Sequence, residues 1–199
     1  MNAKETIYLI DGDYRRRAAL THCLASSGIH VEPFEDISEF MGRLPHEGLL
    51  VVHDDGSSVR RLLDMVRQTE FWLPVIGLAE NPATQMIVNA VLAGAIDYVA
   101  WPVATEELLA VLAEARARAE KLAPIRSREV RARSRVDSLS RREREVLSGV
   151  TTGMSNRAIA DHLGISTRTV EIHRANMLTK MNATSTSEAV RIACEAQFA

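Results

Sequence analysis

Residues 139–182 read LSRREREVLSGVTTGMSNRAIADHLGISTRTVEIHRANMLTKMN. Within this stretch, three segments with helical spacing of apolar residues are separated by two short breaks, Gly153-Met154-Ser155 and Gly164-Ile165-Ser166. Short breaks between periodic helices are typical of a helix-turn-helix. Because such a unit serves to place one helix in a groove of DNA, this stretch predicts nucleic-acid binding.

Serine residues mark the expected helix starts in this region. Ser140 has Glu143 three residues further on, which is the capping-box spacing. Ser155 and Ser166 stand directly before the second and third periodic segments, where a hydroxyl can cap the first turn. We therefore expect an all-α unit of four helices. The predicted helices span 141–152, 156–163, 167–181 and 185–197.

The third of these helices has one apolar and one polar side. Val170, Met177 and Met181 recur at i, i+7 and i+11, which predicts a single buried stripe. Residues pointing away from the stripe are expected to face the DNA major groove. These candidate base-contacting residues are Arg168, Glu171, Ile172 and Ala175, with Thr179 beyond them.

Polar residues beside this face suit contacts with phosphate groups. Ser155 and Asn156 lie at the start of a helix, whose backbone amides attract anions. His173 has two open interpretations, packing beneath the helix or touching a phosphate. The residues expected at phosphates are Ser155, Asn156, Thr167, Thr169, Asn176 and Lys180.

Periodicity alone leaves open a helical subdomain that binds no nucleic acid. The segments LSRREREVL, SNRAIA, RTVE and HRAN, with the Lys-Met pair that closes the third helix, closely resemble the LuxR/FixJ-type helix-turn-helix. This resemblance implies a tetrahelical domain whose third helix reads DNA and whose fourth helix pairs two subunits on a two-fold site. Ala175 is short for such a role and would give a van der Waals contact at most.

The first 122 residues alternate short β-like runs with helical patterns. Five such βα units predict a doubly wound parallel sheet, an α/β fold. The predicted strands span 6–10, 30–34, 49–52, 73–78 and 97–100, and the predicted helices span 14–27, 36–44, 58–70, 84–93 and 105–122.

Charge is distributed unevenly between the two halves of the chain. Residues 1–123 carry 11 Lys and Arg against 18 Asp and Glu, a net charge of −7, whereas residues 124–199 carry 13 against 8, a net charge of +5. A basic half suits a polyanion.

Pro124 is expected to end the preceding helix, and five arginines follow it in a segment expected to be a solvated linker or helix. The alternative is that these arginines touch DNA phosphates or the acidic half.

The N-terminal half resembles the receiver domain of FixJ/NarL response regulators. The resemblance rests on Leu9-Ile10-Asp11, the LPVIGL and VLAGAIDY segments, and Trp101-Pro102. It implies a flavodoxin-like fold with an Asp at the end of strand three that accepts a phosphoryl group. It also implies two acidic residues after strand one for Mg²⁺, a Ser or Thr ending strand four, a Lys ending strand five and an aromatic switch.

The chain departs from that pattern at almost every position. Asp11-Gly12-Asp13 lacks one of the two adjacent carboxylates, and alignment on Gly48 puts His53 at the acceptor position. Ala79 and Trp101 stand where the hydroxyl residue and the lysine are implied, while Tyr98 keeps the switch position. We therefore expect a degenerate site in which Trp101 or its neighbours fill the phosphate space.

Two alternatives remain at this site. A one-residue shift would place Asp54 at the acceptor position, although the hydroxyl residue and the lysine would still be missing. His53 could instead be a phosphohistidine or a metal ligand. A polar residue at the strand end is the simpler interpretation.

These patterns predict a cytoplasmic two-domain protein, with a receiver-like domain at 1–122, an Arg-rich linker at 123–137 and a DNA-binding domain at 138–199. We expect a sequence-specific transcription regulator that works without aspartyl phosphorylation. The alternatives are a conventional response regulator phosphorylated at Asp54 by a histidine kinase, and a module that binds another regulator or a small ligand.

Other features of the chain bear on its partners. We see no nucleophile–base pair, phosphate loop or Cys/His metal spacing, so we expect no enzymatic activity, cofactor or metal. The expected partners are double-stranded DNA with a palindromic operator and a second copy of the chain, with no membrane. The receiver faces expected to pair are helix 84–93, strand 97–100 and helix 105–122, with Val91 or Ala113 exposed. Cys23 and Cys194 are expected to be buried thiols.

Overall fold

A computed structural model of the chain describes residues 6–198 and divides the molecule into two compact units, with the division between Pro124 and Ile125. Within the described residues, no helix is long and apolar enough to cross a membrane.

The first unit is built on a five-stranded parallel sheet with the strand order β2-β1-β3-β4-β5. This order confirms the predicted doubly wound α/β fold. The fourth strand begins two residues later than predicted, directly after Pro74, which has no N–H to give to a ladder. The strands are β1 (Thr6–Ile10), β2 (His30–Phe34), β3 (Leu49–His53), β4 (Val75–Glu80) and β5 (Asp97–Trp101).

Alternation along the strands divides the core of this unit between the two faces of the sheet. Leu49 and Val51 pack with the side of the sheet that carries the first and fifth helices. Leu50 and Val52 pack with the side that carries the second and third helices. The helices are α1 (Tyr14–Ser26), α2 (Ile37–Met41), α3 (Ser58–Val66), α4 (Thr84–Ala93) and α5 (Thr105–Asp137).

The length of α5 corrects one prediction. Pro124 was expected to end this helix, yet the helix continues through it to Asp137. A proline in a helix interior costs about 3 kcal/mol. Beyond Pro124, however, Ala132 and Val136 are buried in the core of the second unit, and this burial stabilises the helical conformation of the segment predicted as a linker.

The second unit is the predicted bundle of helices. Serines 140, 155, 166 and 185 each accept a backbone N–H of the following first turn, and Ser140 with Glu143 forms the predicted capping box. Gly164 ends a helix in the left-handed conformation, with φ of 65°. The helices after α5 are α6 (Arg141–Thr151), α7 (Asn156–Leu163), α8 (Thr167–Lys180) and α9 (Thr186–Glu195).

The cysteines differ from the expectation of two buried thiols. Cys23 is half-buried, and Cys194 is exposed. The buried side of α9 is formed instead by Ala189, Ile192 and Ala193. Helical periodicity leaves Cys194 on the opposite side, so the expectation was wrong for this residue.

Candidate functional site

The carboxyl ends of the parallel strands meet at one edge of the sheet, as in other open α/β folds. Asp11 follows β1, His53 ends β3, Glu80 ends β4 and Trp101 ends β5. Asp11 and Asp54 are buried at this edge, with 1% and 4% of their surfaces exposed.

Asp11 is paired with an arginine that the sequence analysis did not single out. The Arg16 Nε donates to Asp11 Oδ2 at 2.6 Å, and Arg16 Nη2 donates to Asp11 Oδ1 at 2.8 Å. The third guanidinium nitrogen, Nη1, donates to Glu80 at 3.0 Å. The hydrogen bond with Asp11 raises the pKa of the Arg16 guanidinium further, so the group stays charged. A run of three arginines at 15–17 resembles a solvated surface, so only the fold identifies Arg16 as the partner of the Asp11 carboxylate. Arg17 donates to the Asp11 carbonyl oxygen.

The neighbours of Asp11 have other roles. Gly12 is exposed and brings no carboxylate. The exposed Asp13 carboxylate accepts the Arg16 backbone N–H at 2.8 Å and caps α1. That backbone hydrogen bond lowers the pKa of Asp13 below its ordinary value. The second acidic residue after β1 therefore serves as a helix cap.

Asp54 and Asp55 are both engaged by the start of α3. The Asp54 carboxylate accepts the backbone N–H groups of Gly56 at 3.0 Å and Val59 at 3.3 Å. Asp55 accepts hydrogen bonds from the side chains and amides of Ser57 and Ser58. The Ser57 hydroxyl and amide, followed by those of Ser58, hold the pKa of Asp55 far below its usual range. His53 is half-buried at the end of β3.

Tyr98 completes the surroundings of Asp54. Its hydroxyl donates to Asp54 Oδ2 at 3.2 Å, and the same oxygen lies 3.1 Å from Met86 Sδ. A Cβ at Gly77 would lie 2.5 Å from two ring carbons of Tyr98, so the ring occupies space left by this glycine. Burial, the Asp54 charge and the hydrogen bond to Asp54 all raise the pKa of Tyr98 strongly. Tyr98, the aromatic residue expected at the switch position, is therefore hydrogen-bonded to a buried carboxylate.

Ala79 and Trp101 contribute apolar surface. Ala79 is buried and pairs with Ala100 on β5. Trp101 is half-buried and packs against the apolar cluster on the α1 and α5 side of the sheet. The group bonded to the Asp11 carboxylate is the Arg16 guanidinium, and the filling of the phosphate space by Trp101 or its neighbours stays a prediction.

Helix α8 in the second unit presents the predicted exposed face. Val170, Met177 and Met181 are fully buried, which confirms the predicted stripe. Ile172 is half exposed although it is apolar, and the Arg168 guanidinium lies 3.2 Å from Glu171. The base-contact candidates Arg168, Glu171, Ile172 and Ala175 and their neighbour Thr179 are all exposed.

Of the residues expected to contact phosphates, some are exposed and others are half-buried. Asn156 and Thr169 are half-buried, as is His173. Arg174, which the sequence analysis missed, donates to Asn156 Oδ1 and to the Thr186 hydroxyl, both at 2.7 Å. It thereby ties α7 and α9 to α8. The exposed members of the set are Ser155, Thr167, Asn176 and Lys180.

Lys180 has a structural partner that the sequence did not indicate. Its Nζ donates at 2.8 Å to Glu143, whose side chain is 5% exposed. Burial raises the pKa of Glu143, but the Lys180 ammonium and the Ser140 backbone N–H outweigh it, so the pKa is lowered overall. The Lys180 ammonium therefore neutralises a buried carboxylate between α6 and α8. Its contact with a phosphate stays a prediction.

Comparison with known proteins identifies relatives that match both units. Residues 137–193 match the family described as bacterial regulatory proteins, luxR family. The transcriptional regulatory protein FixJ of Bradyrhizobium diazoefficiens is 35% identical over 200 residues, covering 98% of each chain. FixJ of Rhizobium meliloti is 33% identical, covering 97% of each chain. The crystal structure of full-length FixJ from B. japonicum covers 100% of both chains, with 34% identity and a TM-score of 0.52.

Replacing Tyr98 by Phe tests the bond to Asp54. The substitution removes a donor from a buried carboxylate, and we expect the free energy of unfolding to fall by about 1–2 kcal/mol. Urea titration of the full chain measures the change. Tyr14→Phe is the matched control because Tyr14 is 74% exposed, and it should have no effect. Equal stability of the two variants would contradict the bond.

Replacing Glu143 by Gln tests the buried ion pair through its pH dependence. Because the pKa of Glu143 is lower in the fold than its ordinary 4.5, its contribution is full above that pH and is lost on further acidification. At neutral pH we expect the variant to lose about 1–3 kcal/mol. Its stability should also vary less with pH in the acid range, as measured by thermal unfolding from pH 7 to pH 3.

Asp161→Asn is the control for this variant, since Asp161 is exposed on α7. It should follow the wild-type pH profile. A Glu143→Gln profile as steep as that of the wild type would show that another group causes the acid sensitivity.

Proposed function

Because this chain belongs to the FixJ-type family of response regulators with a LuxR-type helix-turn-helix, we propose that it is a sequence-specific transcription regulator whose receiver works without aspartyl phosphorylation. The observation that carries the DNA-binding part is the exposed face of α8 above a fully buried stripe. The observation that carries the receiver part is the set of protein partners already held by Asp11 and Asp54.

The α8 face has the chemistry that base recognition requires. The DNA major groove admits an α-helix, where Arg pairs with guanine, a carboxylate accepts from cytosine and an apolar side chain meets the thymine methyl group. Arg168, Glu171 and Ile172 supply these three kinds of group on adjacent turns. The Arg168–Glu171 pair is solvent-exposed, and breaking it to contact bases costs about 1 kcal/mol or less.

Phosphate contacts would position this helix. Ser155 is exposed at the start of α7, and Thr167 is exposed in the first turn of α8. A helix N-terminus attracts anions through its backbone amides and its dipole. In α5, Arg128 and Arg131 are exposed on the basic segment before the bundle. We assign 1–122 to the receiver, 138–199 to DNA binding and the helical 123–137 to their connection.

Recognition by one short helix is weak, so we propose that the protein acts as a homodimer on a palindromic operator. Helix α4 supports this proposal because its sequence TQMIVNAVLA carries no charged residue. Three of its apolar side chains, Val88, Val91 and Leu92, are exposed, Leu92 by 80%. A surface of this kind favours a protein partner, either a second copy or another regulator.

The alternative is a conventional response regulator that a histidine kinase phosphorylates at Asp54. Asp54 does lie directly after β3, at the edge where the strands end. The residue is only 4% exposed, however, and both carboxylate oxygens accept hydrogen bonds from the protein. A phosphoryl donor would have to displace these partners, and Ala79 and Trp101 offer no charge-assisted bond to the product.

Incubation with acetyl phosphate and Mg²⁺ separates these two functions. We expect intact-mass spectrometry of the wild-type chain to show no phosphoryl adduct, because Asp54 is buried and engaged. Protection of a promoter fragment in a footprint should be unchanged by the treatment. An adduct that Asp54→Ala abolishes, together with stronger protection, would favour the conventional regulator.

Substitutions on α8 test the DNA-binding part. Arg168→Ala or Glu171→Ala should reduce the preference for a DNA sequence obtained by in vitro selection by about 1–3 kcal/mol per lost contact. Fluorescence anisotropy with selected and random duplexes measures the ratio of affinities. Arg141→Ala is the control because Arg141 is an exposed arginine of α6 that pairs with Glu145. Equal losses on selected and random DNA would rule out base readout by these residues.

A further inference from the structure

We propose that the Arg16 guanidinium takes the place of the divalent cation at the receiver site, so that Asp11 is neutralised by a side chain and the site takes up no Mg²⁺. This inference rests on the proposed atypical receiver and deepens it. It concerns which cation pairs with Asp11 at the carboxyl edge of the sheet, and its test requires neither phosphorylation nor DNA.

The charge of Asp11 is already met by a cation within the protein. Arg16 holds Asp11 through two nitrogens at 2.6 and 2.8 Å, the bidentate geometry that makes Arg–carboxylate pairs strong. The Asp11 side chain is 0% exposed and that of Arg16 is 11% exposed. The pair is therefore a buried one, and the charge of Asp11 is met by the guanidinium.

Strand order shows that this cation bonds on both sides of the strand that carries the acceptor position. Strand β3 lies between β1 and β4. Arg16 joins Asp11, after β1, to Glu80, at the end of β4. Its guanidinium therefore links the ends of the two strands that flank β3, whose last residue is His53. Glu80 is 58% exposed, so the bridge continues to the rim of the site.

While Arg16 holds both oxygens of Asp11, the other oxygen atoms at this edge do not fit a magnesium ion. Mg²⁺ needs near-octahedral oxygen ligation at short distances. Asp11 Oδ1 also accepts the Asp13 backbone N–H at 2.8 Å, and Asp13 itself caps α1. Gly12 has no side chain, and Asp54 is bonded to α3 and Tyr98.

The Arg16 guanidinium and a bound metal ion respond differently to metal concentration and pH. Occupancy of a metal site follows the metal concentration, whereas the guanidinium stays charged at every physiological pH. The Asp11 carboxylate then keeps the same cationic partner at all Mg²⁺ concentrations. The receiver is thereby held in a single electrostatic state.

Titration of the full chain with Mn²⁺, followed by electron paramagnetic resonance and thermal unfolding, tests the proposal. We expect the wild type to bind no Mn²⁺ up to millimolar concentration. Arg16→Met frees the Asp11 carboxylate, so this variant should bind Mn²⁺ at concentrations at least about tenfold lower than that limit. Its midpoint of thermal unfolding should also rise as Mn²⁺ is added. Arg15→Met, at the exposed neighbouring position, should behave like the wild type. Binding by the wild type that matches that of Arg16→Met would overturn the proposal. So would a folded Arg16→Met that binds none.

A second measurement applies if Arg16→Met does not fold. In the NMR spectrum of the wild type, the Arg16 Nε–H should exchange slowly with water and keep its position on addition of Mg²⁺. Rapid exchange, or a shift with Mg²⁺, would overturn the proposal. Both experiments use the metal ion alone, so a failure here is distinct from phosphorylation at Asp54 or a lack of DNA binding.

Discussion

Burying a carboxylate costs several kcal/mol unless the charge is paired and its oxygens accept hydrogen bonds, and this constraint organises both units of the protein. Three carboxylates are buried among the described residues: Asp11, Asp54 and Glu143. Arg16 neutralises the first and Lys180 the third. Asp54 is held by two backbone amides and the Tyr98 hydroxyl. Each pairing fixes the position of a helix or strand relative to its neighbours.

These partners stand at positions where the family pattern implies other chemistry. We propose that Arg16 takes the place of a metal ion, and Tyr98 stands at the position expected for the switch residue. In the second unit, Lys180 was expected at a phosphate but spans α6 and α8. The same side chains thus stabilise the fold and limit what the sites can do. In the receiver this favours a fixed state. In the bundle, side chains of α8 bond to α6, α7 and α9 while its outer face stays exposed.

Local patterns were sufficient to predict most of the elements. Short β-like runs between helical patterns identified the five strands, and serine caps placed the starts of α6, α7 and α8 correctly. Pro124 was misinterpreted because the rule that proline ends a helix ignores the residues beyond the proline, and here Ala132 and Val136 are buried further along. The expectation for Cys194 failed because its apolar neighbours suggested that it is buried. The buried side of α9 is instead the opposite one, which carries Ala189, Ile192 and Ala193.

The sequence by itself determined the two folds, the family and the exposed face of α8, since all of these depend on periodicity and motifs within short windows. Only the tertiary structure decided which charges meet. Glu143 and Lys180 are 37 positions apart, Asp54 and Tyr98 are 44 apart, and Arg16 and Glu80 are 64 apart. Even the Asp11–Arg16 pair depends on how α1 leaves the end of β1. Spacing along the chain carries no signal for such pairs, because their geometry is set by strand order and helix packing.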